Sequence, residues 1–72
     1  MNNRVMLEDH LAATERLLAE GERHVAYLRE LVDQMERDGH DTAQATQLLK
    51  EFEEVVAVHI AERNRMRYAL GL

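Results

Sequence analysis

The sequence predicts an all-α protein, an antiparallel hairpin of two long helices joined by one tight turn. Three observations carry that prediction. Large apolar residues recur at alternating spacings of three and four along two long stretches, the pattern of a helix lying along another helix. The 72-residue chain contains no proline and is dominated by Ala, Leu, Glu, Arg, Gln and Met, all strong helix formers. A single cluster, Asp38-Gly39-His40-Asp41-Thr42, interrupts the pattern.

The first helix is expected over about residues 4–38. Its seam is Leu7, Leu11, Thr14, Leu18, Gly21, Val25, Leu28, Val32 and Met35, where only Thr14 and Gly21 are not large and apolar. One flank of the seam carries His10, Leu17, His24 and Leu31, and the other carries Glu8, Glu15, Glu22, Arg29 and Glu36. The apolar stripe is therefore wider than a bare seam on one side and ends sharply on the other. Gly39 suits the left-handed residue that terminates a helix. Asp41 or Thr42 suits the next N-cap, since a short side-chain oxygen accepts a free backbone N–H, and Asp41 with Gln44 reads as an approximate capping box.

The second helix is expected over about residues 42–70, with a seam of Ala45, Leu49, Phe52, Val56, His59, Arg63, Met66 and Leu70. Its flank adds Leu48, Val55, Glu62 and Ala69, with Ile60 opposite. So short a connection forces the helices antiparallel. Glu8 and Asp9 near one helix start, and Arg63, Arg65 and Arg67 near the other helix end, have the signs that complement helix dipoles. Arg4, Arg63, Arg65 and Arg67 make the open end basic, while Glu36, Asp38, Asp41, Glu51, Glu53 and Glu54 make the turn end acidic.

A chain of this length forms one domain, residues 1–72, and its core supplies only about 3–5 kcal/mol by itself. With no cysteine, disulfides and thiolate metal sites are excluded, so a partner chain or a His/carboxylate metal site is left to add stability. Val5, Met6, Tyr27, Val58 and Ile60 lie at or beyond the edges of the stripes. The expectation is a homodimer, two hairpins forming a four-helix bundle, with another helical protein as the alternative partner.

Several function classes are excluded. No run approaches the roughly 18 apolar residues that cross a bilayer, and Met1-Asn2-Asn3-Arg4 does not open a signal peptide, so a cytoplasmic protein is expected. A net charge of −5 and a single lysine argue against nucleic acid, which needs concentrated positive charge. There is no serine or cysteine nucleophile and no glycine-rich phosphate loop, so no enzymatic activity is expected.

His59 is the anomaly, a polar residue at the centre of an apolar seam. Pairing residues about the middle of the turn, with numbers adding to about 80, sets it opposite Gly21. A mid-helix glycine costs about 1 kcal/mol relative to alanine, and its missing side chain makes room for an imidazole. The structural reading is a packing notch with a hydrogen-bonded ring nitrogen. The chemical alternative is a divalent metal ion held by Glu20 and His24, four apart, with His59 and Glu62, three apart, since dimetal bundles draw on such spacings. Without that ion no cofactor is implied. Arg63 on the seam is expected to snorkel toward Glu15, Glu62 or solvent.

The segments Gly21-Glu22-Arg23-His24, Gly39-His40-Asp41-Thr42, Leu48-Leu49 and Phe52-Glu53, together with His59 and Arg63, resemble short uncharacterised helical-hairpin proteins of soil α-proteobacteria, over about Leu11 to Leu70. The resemblance implies a natural stand-alone small protein and carries no functional residues with it. The function expected from the residues is that of a small self-associating module for protein interaction or regulation. A metal-binding bundle is the alternative, and anion or nucleic-acid binding at the arginine-rich end is the weaker one.

Overall fold

The computed structural model describes residues 3–72. Met1 and Asn2, part of the N-terminal stretch read above, lie outside them. Two α-helices, α1 (Asn3–Arg37) and α2 (Ala43–Leu70), make up all the regular structure of the described residues, within one residue of the predicted limits. They pack antiparallel. Leu11, early in α1, joins Met66 and Leu70 at the end of α2, and Arg29 meets Glu53 near the turn. The product is a rod of 57 × 18 × 14 Å. Among the described residues, no helix is long and apolar enough to cross a membrane.

The turn begins with the glycine-terminated helix end that the sequence predicts. Gly39 has φ +74°, its N–H donates to the Glu36 carbonyl at 3.1 Å, and the His40 N–H donates to the Met35 carbonyl at 2.9 Å. Those two bonds form a Schellman motif and satisfy carbonyls that the helix itself leaves free. The same device closes α2, where Gly71 has φ 77° and donates to Tyr68, and Leu72 donates to Arg67. The start of α2 departs from expectation. Thr42 holds the N-cap position without a side-chain cap bond, and the Asp41 carboxylate accepts from the Ala43 N–H at 2.9 Å. Asp41 therefore closes a tight turn onto the residue two ahead, and not a capping box with Gln44.

The pairing of the helices also departs from expectation. Leu7 packs against the cluster containing Leu70, Leu11 shares that cluster with Met66, and Gly21 faces Val56. The Gly21–Val56 pair adds to 77, not 80, and the cluster of Leu7, Leu11, Met66 and Leu70 is compatible with the same register. The cause is the cap, since the chain reverses at Asp38–Gly39 and His40–Thr42 already climb back along the second arm. The three-residue offset brings His59 level with Leu18 and Arg63 level with Thr14. The space at Gly21 is thus taken by Val56. A Cβ built on Gly21 would lie 2.9 Å from Val56 Cγ2, closer than carbon atoms tolerate.

Every seam position of the sequence reading is covered at least in part. Leu11, Thr14, Leu18, Val25, Leu28 and Val32 of α1 are buried, with Thr14 the most enclosed at 2 % exposure. On α2 only Met66 and Leu70 are buried, while Ala45, Leu49, Phe52, Val56, His59 and Arg63 are half-buried. One helix surface cannot enclose another by itself.

The charged residues complement the helix dipoles only in part. No acid lies in the first turn of α1, so Glu8 and Asp9 sit beyond the reach of an effect confined to that turn. Arg67 alone lies in the last turn of α2. The C-terminal carbonyls gain a different cation, because Arg4 donates to the Leu70 carbonyl at 3.4 Å and pairs with Glu8 at 3.4 Å.

Two substitutions test these backbone arguments. Gly39→Ala meets nothing within 4 Å, so it should lose only the conformational term, about 1–2 kcal/mol for an L residue forced left-handed, read as a lower urea midpoint. Gly21→Ala should gain about 1 kcal/mol of helix propensity yet lose more to overpacking against the stiff, β-branched Val56. The net expectation is a loss of about 1 kcal/mol, reversed to a gain, relative to Val56→Ala alone, when both changes are combined.

Candidate interaction face

The rod has two broad faces, each marked by a shallow groove between the helices. On one, Glu22 and Arg29 border Glu53, Ala57 and Ile60 over Val25 and Val56. On the other, His10 borders Glu62 and Arg65 over Leu7 and Met66. A seven-residue repeat extends each face along the rod. The first continues through Glu8, Glu15 and Glu36. The second continues through Leu17, His24 and Leu31 on α1 and through Leu48, Val55 and Ala69 on α2. The two apolar flanks, predicted helix by helix, thus fall on the same side of the molecule, because reversing the chain brings like flanks together.

The side chains left over by the seam collect there too. Met6, Tyr27 and Val58 stand one helical turn from His10, Leu31 and Glu62 respectively, and so edge the same face. Leu17 is 50 % exposed, Val55 51 %, Val58 55 % and Tyr27 66 %. Of the other large exposed apolar residues, Val5 and Tyr68 point elsewhere and Leu72 lies past the end of α2. The opposite face is fenced by charge. Arg29 and Glu53 cross its groove at 2.8 Å, both well exposed, a pair worth little to stability but an obstacle to an apolar occupant. Ile60 is the one large apolar side chain left beside them.

Of the four residues considered for a metal, Glu20 and His24 stand together, but His59 and Glu62 do not complete a group with them. His24 stacks on Phe52 with ring centroids 5.4 Å apart and planes 5° from parallel, within the range of favourable ring pairs. It shares a surface depression with Glu20, Arg23 and Tyr27, while Glu62 lies in the groove beside His10. Among the described residues, no three His, Cys, Asp or Glu side chains stand where they could hold a metal ion. His59 lies on the seam with Nδ1 buried and without a hydrogen-bond partner.

The arginine-rich end is less basic than its motif suggests. Arg63 turns its guanidinium to Asn64, with Nε at 3.3 Å and Nη2 at 3.2 Å from Oδ1, and not to Glu15 or Glu62. Arg65 and Arg67 are exposed, but Glu8, Asp9, Glu15, Glu20 and Glu62 are interleaved with the cations, leaving five acids against five cations in the open half. The turn half, residues 21–56, holds nine acids against four cations and carries the whole net charge.

Comparison with known protein families, curated proteins and solved structures returns no match. Function must therefore be read from the chain's own surface.

The buried Nδ1 of His59 leads to a sharp expectation. An unpaired buried polar group costs about 1–3 kcal/mol, and leucine has nearly the same volume as histidine. His59→Leu should therefore raise stability by about 1 kcal/mol in urea denaturation at fixed protein concentration. A loss of stability would mean that the imidazole makes bonds that the leucine forfeits.

Proposed function

We propose that this protein is a self-associating helical module, in which two hairpins join through the apolar face into a four-helix bundle that serves interaction or regulation, not catalysis. The observation that carries the reading is that the heptad positions of six exposed residues, Met6, Leu17, Tyr27, Leu48, Val55 and Val58, fall on one face beside Glu62 and Arg65, while the Arg29–Glu53 pair bridges the other. Scattered exposed apolar residues are normal on a monomer, but a contiguous patch marks a contact surface.

The area supports a second copy as occupant. The chain exposes 5476 Å², whereas a compact monomer of 8.4 kDa exposes roughly 4,600 Å². Hiding the excess on two chains would bury roughly 1,800 Å², the size of a specific protein interface. The shape agrees, since the Cα radius of gyration is 16.4 Å against roughly 11 Å for a compact domain of this length. A face-to-face pair would also cover the half-buried seam of α2, including Phe52 and His59.

Sedimentation equilibrium tests the proposal. The expected mass is twice 8.4 kDa at micromolar concentration. Val55→Glu removes apolar burial worth about 1.5 kcal/mol or more and adds a charge, so it should raise the dissociation constant at least about tenfold. Ala26→Glu, exposed on the charged side, should leave it unchanged. A chain that stays monomeric at the highest attainable concentration, or equal effects from the two variants, would refute the reading.

A further inference from the structure

We infer that the two hairpins meet with their turns at opposite ends, on a two-fold axis that crosses α1 near Glu20 and α2 near Val58. The inference rests on the self-association just proposed and adds its orientation. Two symmetric arrangements bring the same apolar face together. In one the turns lie side by side, and α1 of each copy lies over α2 of the other. In the other the turns are at opposite ends, and each helix lies over its own copy.

Charge separates the two. Turns side by side would lay two halves with nine acids and four cations each against one another. Turns apart place each acidic half beside a half that is neutral overall, which removes that repulsion within the roughly 8–10 Å over which exposed charges act.

The row of residues along the face agrees. An axis near Glu20 and Val58 is self-consistent, because those two residues are level within a single hairpin, to about one residue in the pairing set by Gly21 and Val56. It puts Leu48 over the partner's Ala69 and Tyr27 over the partner's Ala13, large over small, and Val58 over its own copy. Glu51 then faces Arg65 of the partner subunit. With the turns side by side, Leu31 would meet Leu48 while His10 met Ala69, and both charges, Glu51 and Arg65, would face uncharged residues. Alternating large and small residues keeps two surfaces at an even distance. Two contacts oppose the arrangement, Glu20 against its own copy at the exposed edge of α1 and Val55 against the partner's Glu62.

The test uses the full chain, whose lack of cysteine makes a single introduced thiol unambiguous. His40→Cys, at an exposed turn position, is labelled with a nitroxide and the distance between copies is read by pulsed electron spin resonance. Turns at opposite ends of the rod predict about 55 Å from the helical rise. A distance under roughly 20 Å, as for turns on adjacent helices, would overturn the orientation while leaving self-association standing. No distance between copies, together with a monomer mass by sedimentation, would remove the association on which the orientation rests. A charge exchange gives a second readout. Glu51→Arg should raise the dissociation constant about threefold, the scale of exposed ion pairs, and adding Arg65→Glu should bring it back. Absence of that recovery counts against the arrangement.

Discussion

The left-handed backbone at Gly39 is the constraint on which the rest of the hairpin depends. A helix end must find partners for its last carbonyls, and the Schellman bonds to Glu36 and Met35 supply them only if one residue takes positive φ, which glycine does at least cost. Because the chain reverses at that residue, and not midway through the five-residue connection, the pivot falls between Asp38 and Gly39. The close contacts along the seam follow from it. Val56 reaches Gly21, Leu11 reaches Met66, and Phe52 comes within stacking distance of His24.

What holds the arms together after that is almost entirely apolar contact. The Arg29–Glu53 pair is exposed, and the side-chain bonds of Gln34, Arg37 and Gln47 among the described residues are local and on the surface. The buried residues form a single file along α1 and thin out on α2, where only the last two seam positions are enclosed. A two-helix rod has no third element to finish the job. Its elongation, its large exposed area and its one-sided apolar face are three expressions of that shortage.

Much of this was legible in the sequence, because a heptad-like seam is a local property. Each position from Leu7 to Met35 and from Ala45 to Leu70 that the spacing marked is covered to some degree, and both helix limits fell within one residue. The pairing between arms was less legible, since it depends on where inside the turn the chain reverses, which spacing alone does not show. That offset of three residues moved His59 away from Gly21 and separated it and Glu62 from the Glu20–His24 pair. Thr14, one of the two seam positions that are not large and apolar, is the most buried side chain. It shows how deep a small residue sits when the neighbouring layers are leucines. The shared apolar face was implicit in the two flanks, but it emerges only when they are read together in an antiparallel frame.

The constant pairing sum has a consequence for length. Nothing in the turn or in the open-end cluster of Leu11, Met66 and Leu70 refers to the number of layers between them. Seven residues added to α1 alone would strand one arm. Seven added at matched points of both arms would insert one more repeat, two layers over about 10 Å, and leave both ends as they are. The fold is thus an extensible spacer whose span is set by how many paired repeats stand between two self-contained ends.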